Sequence, residues 1–263
     1  MFDFLAPALQ LAHPSWHPAI LAGLQAIHEA DPHYLPELAK RPWLPTENRI
    51  FAAFAQPQDQ VRYVLVGEGP YPREKSATGV CFMDGAVEGL WSDQADGGLS
   101  KTVNRATSLR NFIKMLAVAS GDLDVAQTAG SAMAELAQRA RSAPGQWIQT
   151  LAQLQHNLTR NGFLLLNATL VFRPDVAPVK DGRAWQPFLQ QILAHLHRAH
   201  AANPPTLVLW GKIAAQLDAL PELAGFPKAV SEHPYNLSFI GNPVMQQLFA
   251  RFALLNQPGM IQL

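Results

Sequence analysis

The chain has 263 residues, enough for one large α/β domain or two small ones, and 48% of them are hydrophobic, which argues for a buried core and against disorder. Twenty basic and twenty acidic residues cancel, so bulk charge lends no support to nucleic-acid binding and any basic face must be local. Cys81 is the only cysteine, which excludes an internal disulfide and a multi-cysteine zinc site and points to a reducing, cytoplasmic setting.

The opening MFDFLAPALQLAHPSW has no basic start, carries Asp3 early and is interrupted by Pro7. It is not expected to act as a signal peptide, and no stretch approaches the length of a membrane-spanning helix. Helices are expected around 16–30, with Ser15 as cap and Trp16 turned inward, and around 46–54. VRYVLVG (61–67) predicts a buried strand, followed by a Gly/Asp-rich loop at about 84–100. SLRNFIKMLAVA (108–119) predicts a helix capped by Ser108, and the Ala/Gln/Ser-rich stretch 124–145 an extra surface helix.

After these come a helix in WIQTLAQLQHNLTRNG (147–162), a strand in FLLLN (163–167) and a helix in WQPFLQQILAHLHRAH (185–200). A strand in TLVLWG (206–211), a helix in GKIAAQLDAL (211–220) and a weaker strand in KAVSEH (228–233) complete the series. Parallel strands need crossover connections, and alternating strands and helices supply them. The expected fold is a three-layer α/β/α sandwich around a short, four-stranded, mostly parallel sheet, built as a single domain over 1–263.

Ligands of open parallel sheets bind beyond the carboxyl ends of the strands. Those ends carry Gly67, Glu68, Gly69, Pro70 and Tyr71; Asn167; Gly211 and Lys212; and Glu232 and His233. An amide, an imidazole, a carboxylate and glycine-rich backbone thus fall on one rim. A dinucleotide loop is a poor fit to GEGPYP, because a third glycine is missing and Pro70 and Pro72 remove amide donors that a phosphate would use.

Taken together, VLVGEGPYP with GVCF, SLRNFIKML, LLLNATLVFRP, LVLWGKIAAQL and EHPYNLS resemble, in order, the motifs of the uracil-DNA glycosylase superfamily. PSWHPAIL resembles the start of the family's domain. The resemblance spans roughly residues 15–255, with 120–146 as an insertion. It implies hydrolysis of the bond between deoxyribose and uracil flipped out of single- or double-stranded DNA, by a monomer that needs no cofactor and no metal. No membrane partner is expected.

The resemblance also implies roles. Asn167 would read uracil N3 and O4, His233 would donate to O2 as charge develops there, and Phe82 would stack on the ring. Tyr71, beside Pro70, would exclude the thymine methyl. Leu237 would fill the vacated stack, with Gly211, Lys212 and Ser238 facing the DNA backbone. At position 69 the main family carries a water-orienting aspartate where this chain has glycine, while a related branch of active enzymes has a small residue after glutamate. Backbone carbonyls near Gly69 and Pro70 would then hold the water, with Glu68 as a substitute carboxylate. The alternative is a catalytically weak or inactive member that binds uracil or nucleic acid. A flavodoxin-like small-ligand domain is a third reading. His195, His197 and His200 lie on one helix, where spacing puts only His197 and His200 on a shared face, and no third ligand accompanies them. Cys81 reads as a small core residue.

Overall fold

A computed structural model describes residues 2–218, 220 and 223–258. Four strands form, β1 (Tyr63–Gly67), β2 (Phe163–Asn167), β3 (Thr206–Trp210) and β4 (Lys228–Ser231), in one sheet of order β2-β1-β3-β4. β1 pairs in parallel with β2, setting Gly67 opposite Asn167, and with β3, setting Val66 opposite Leu209. The fold is therefore α/β, as expected. β1 begins at Tyr63 rather than Val61, because the amides of Arg62 and Tyr63 both donate to the Gly162 carbonyl at the chain's approach to the sheet. Glu232 and His233 lie just beyond the end of β4.

The helices are α1 (Ala6–Leu9), α2 (His17–Ala30), α3 (Tyr34–Leu38), α4 (Lys101–Arg105), α5 (Thr107–Ala119), α6 (Gly130–Ser142), α7 (Leu151–Arg160), α8 (Pro178–Ala199), α9 (Gly211–Asp218) and α10 (Pro243–Phe249). The helix expected around 46–54 is a 3-10 turn, Arg49–Phe54. Two expected caps are not used. Ala106 precedes α5 where Ser108 was expected to cap it, because α4 runs directly into that corner. Ser15 accepts from the Gln58 amide instead of capping α2, while Trp16 is buried as expected and donates its indole N–H to the Gln56 carbonyl. α7 opens on a capping box in which Thr150 and Gln153 satisfy each other's backbone amides. α8 starts at Pro178 instead of Trp185 and carries Pro187 within it. α9 stops at Asp218; Ala219, in the helix expected to reach 220, lies outside the described residues.

The chain divides into two compact units. The first comprises 1–85, 162–209 and 213–228. In it, alternate sheet residues Val64, Val66, Leu164, Leu166, Leu207 and Leu209 join α2 and α8 in one apolar core, as the period of two along a strand requires. Trp16, Phe51, Phe54, Trp185 and Phe188 interlock edge to face and stacked around this core. A Cβ on Gly23 would lie 2.5 Å from Phe188 Cδ2, so glycine in α2 is what admits that ring. Burying each such side chain contributes roughly 1.5–3 kcal/mol.

A polar chain is buried beside them: the Tyr34 hydroxyl donates to Asp181 at 2.7 Å, the Trp185 indole donates to Tyr34 at 2.9 Å, and the Arg173 guanidinium closes on the same carboxylate. Burial, reinforced by the Asp181 charge, keeps the Tyr34 phenol protonated.

The second unit comprises 86–161, 210–212 and 229–263. Phe112 and Phe239 each pack on Trp210, and Phe249 packs on Phe112. α6, inside the stretch expected as an insertion, is amphipathic and buries Met133, Leu136, Ala137 and Ala140. Among the described residues no helix is long and apolar enough to cross a membrane. Truncating a buried ring of the first core tests its weight: Phe188→Ala is expected to destabilise the protein by about 3–5 kcal/mol, read as a lowered thermal midpoint.

Candidate active site

The residues singled out by sequence fall in both units, and each set has its own internal construction. In the first unit the ladder between β1 and β2 continues past the strands, since Ala168 N–H donates to the Gly67 carbonyl at 2.8 Å and Thr169 N–H to the Glu68 carbonyl at 3.1 Å. That pairing lays the GEGPY loop alongside the residues that follow Asn167. A Cβ on Gly67 would lie 3.0 Å from the Asn167 side-chain oxygen and 3.1 Å from Cys81 Cβ, so glycine at 67 is required by the close approach of that carboxamide. Asn167 is only 4% exposed. Among the described residues none hydrogen-bonds its side chain, so the amide does not cap a turn. A nearly buried amide without a partner is costly in the empty protein and suited to a ligand with matching donors and acceptors.

Gly69 is exposed, and a Cβ there would meet only ordinary contacts, the nearest at 3.4 Å from the Thr169 carbonyl oxygen. The absence of a carboxylate at this position is therefore not imposed by space. Glu68 is exposed and Pro70 half-buried. Burial, with the Asp84 and Cys81 charges adding to it, raises the pKa of the Tyr71 phenol and keeps it neutral. Cys81 is buried, its amide donating to the Leu165 carbonyl, and burial pushes its thiol up into an inert, protonated state. Next to it Phe82 holds φ +67°, a left-handed conformation that a bulky side chain adopts only against strain of about 1–3 kcal/mol.

In the second unit the loop after β4 carries His233 and Leu237. Gly211, at φ +56°, turns the chain out of β3, and a Cβ there would fall 2.8 Å from His233 Cβ. Tyr235 N–H donates to His233 Nδ1 at 3.1 Å. Nδ1 is thereby the acceptor, which leaves the proton of the neutral ring on Nε2 as a donor. Buried Asn111 of α5 points its side-chain NH2 at three successive carbonyls of the loop, those of Pro234 (2.8 Å), Tyr235 (3.3 Å) and Asn236 (3.4 Å).

Glu232 braces the loop from its other end, accepting from the Ser238 hydroxyl and the Asn242 amide, both at 2.7 Å. Burial works to raise the Glu232 pKa, but the Ser238, backbone and Asn242 hydrogen bonds together hold it below its usual value. Leu237 is 69% exposed, and Lys212 is also exposed.

The helical histidines are arranged otherwise than their spacing suggested. His195 contacts the Gln58 side chain and His200 the Gln58 carbonyl, while His197 packs on Phe226. Among the described residues no group of three or more His, Cys, Asp or Glu side chains could hold a metal ion. A cavity of about 470 Å³ in the second unit is lined by Asp122, Asp124, Glu135 and Arg139 and by none of the residues above.

No family model matches the chain. The uracil-DNA glycosylase of Corynebacterium glutamicum is 28% identical to it over 232 residues, covering 86% of this chain and 81% of that protein. That of Thermobifida fusca is 27% identical over 256 residues, covering 96% and 93%. The crystal structure of wild-type UNG from Nitratifractor salsuginis is 36% identical, covers 97% of this chain and 98% of its own, and superposes with a TM-score of 0.85. The chain belongs to the uracil-DNA glycosylase family.

In this uracil-DNA glycosylase family member, Asn111 and Glu232 hold the loop although the sequence assigned neither a role: Asn111 lies inside SLRNFIKML and Glu232 opens EHPYNLS. Asn111 does lie among the buried apolar residues Leu109, Phe112 and Ile113 of α5, and a lone amide on a buried face needs a partner. Ser238, expected at the DNA backbone, has its hydroxyl engaged by Glu232.

The brace has a pH signature. A carboxylate whose pKa is lowered in the folded state contributes stability above its unfolded pKa and loses it as pH falls through the folded value. Wild type is expected to melt above Glu232→Gln at pH 7, and the gap to close as pH drops below about 4. Parallel melting curves at each pH would check this.

Proposed function

We propose that the protein hydrolyses the N-glycosidic bond of deoxyuridine flipped out of DNA, opening base excision repair. The observation that carries this reading, within the family assignment, is Asn167, a nearly buried carboxamide with no partner among the described residues at the carboxyl end of β2. Its oxygen accepts from uracil N3–H and its NH2 donates to O4. Cytosine presents the opposite pattern and would leave both groups unpaired, which is how a buried polar site discriminates.

The bond between sugar C1′ and uracil N1 breaks with its electron pair leaving on the base. His233 Nε2–H donates to uracil O2 as that charge develops, and the Tyr235 amide at Nδ1 keeps the required tautomer in place. Phe82 stacks on the base, and neutral Tyr71, with Pro70, closes the side where thymine carries a methyl. Water adds at C1′, positioned by the carbonyls near Gly69 and Pro70 with Glu68 as the nearby carboxylate.

Leu237 fills the gap left by the uridine. Gly211 and Lys212 face the phosphates, while Ser238, whose hydroxyl donates to Glu232, holds the loop that carries Leu237. The neutral total conceals a basic stretch: 97–121 holds Lys101, Arg105, Arg110 and Lys114 and no acidic residue. Arg110 also donates to Asn111, which clamps the His233 loop. The protein acts as a single domain and a monomer, in the cytoplasm, without cofactor or metal.

Gly69 favours a second reading, a member that binds uracil-containing DNA with little or no turnover. Release of uracil from a single-stranded deoxyuridine oligonucleotide, followed by alkaline cleavage, decides between them, and persistent binding with no cleavage would select the second. Under the first, Asn167→Ala and His233→Ala are each expected to lower the single-turnover rate by about a hundredfold or more. Gly69→Asp is expected to raise it about tenfold. An unchanged rate in Gly69→Asp alongside inactive His233→Ala would show that position 69 does not limit the chemistry.

A further inference from the structure

Two large side chains project from the His233 loop, yet only Leu237 has a part in the mechanism above. Tyr235 is 68% exposed and Leu237 69%, more than any other exposed large hydrophobic side chain among the described residues. No described residue hydrogen-bonds the Tyr235 phenol. The backbone that carries them is held at every step. The Tyr235 amide is taken by His233 Nδ1, the carbonyls of Pro234, Tyr235 and Asn236 by Asn111, and the flanking Glu232 by Ser238 and Asn242. A loop this restrained loses little further entropy when its exposed tips meet a ligand, which is the condition for preorganised binding.

Spacing gives the ligand's chemistry. Asn236, between the two tips, is extended at φ −76° and ψ 137°. Two residues of extended chain advance about 6.5 Å, close to two steps of roughly 3.4 Å along a nucleic-acid strand. With Leu237 in the vacated base position, Tyr235 stands two steps away, against the far face of the base that lies between them.

We propose that Tyr235 is a second DNA-contacting residue, stacking its ring on a base that flanks the extruded deoxyuridine while Leu237 occupies the gap. A phenol ring stacks on any base without reading it, so the contact prolongs the flipped state in every sequence context. The proposal rests on the glycosylase reading of the same loop.

The test compares wild type with Tyr235→Ala, Tyr235→Phe and Tyr235→Trp on a duplex bearing one deoxyuridine with 2-aminopurine beside it. Both kcat/KM for uracil release and the fluorescence of the bound 2-aminopurine are read, and a thermal melt confirms that each variant is folded. Tyr235→Ala is expected to lose about tenfold in kcat/KM and to leave the bound 2-aminopurine brighter, because the quenching ring is gone. Phe and Trp are expected to restore both readouts. Equal rates and equal fluorescence in wild type and Tyr235→Ala would overturn the proposal. So would loss in Tyr235→Phe as severe as in Tyr235→Ala, which would assign the effect to the hydroxyl. If wild type releases no uracil, the glycosylase reading is what fails, and the fluorescence comparison on bound DNA still decides whether Tyr235 stacks.

Discussion

The hydrogen-bond ladder between β1 and β2 does not stop where the strands stop, and the surroundings of Asn167 depend on that. Because the Gly67 and Glu68 carbonyls go on accepting from Ala168 and Thr169, the GEGPY loop and the residues around Asn167 are held in one register. Everything near them is adjusted to fit. Gly67 has no side chain because the Asn167 carboxamide occupies the space a Cβ would take, and Cys81 fills the other side of it. A register set by backbone bonds is insensitive to side-chain changes in the GEGPYP loop.

The second unit meets the same demand by other means. Among the described residues no strand pairs with the loop that carries His233, and side chains secure it. Asn111 supplies donors to three consecutive carbonyls, and Glu232 gathers the Ser238 hydroxyl and the Asn242 amide. Asn242 in turn caps α10 by accepting from the Met245 amide. The partly buried Glu232 carboxylate has its desolvation offset by hydrogen bonds from neutral donors rather than by a counter-charge. The first unit does enclose an ion pair, at Arg173 and Asp181, and there the extra hydrogen bond from Tyr34 offsets its desolvation.

What was legible in the sequence was what depends on pattern. Continuous apolar runs marked β1, β2 and β3, because a strand buried on both faces has no polar alternation to obscure it, while the partly exposed β4 left only the weaker signal of KAVSEH. Helix starts were less legible. The start of α8 at Pro178 is accompanied by Asp181 meeting Arg173 and Tyr34, partners distant in the chain that no local window contains. The helix expected from Trp147 begins at Leu151, behind a Thr150–Gln153 capping box that the apolar spacing alone did not mark. Residues at strand ends could be singled out one by one. Glu232 was among them, but its work of bracing the loop, like that of Asn111, was not legible, because that work exists only once the loop has been folded against them.

The left-handed backbone at Phe82 bears on how this protein would change under selection. Glycine or asparagine at that position would relieve the strain and raise stability, so a population selected for heat resistance alone would drift toward discarding the ring. Under the stacking role proposed for Phe82, position 82 is a place where durability and chemistry pull the sequence in opposite directions.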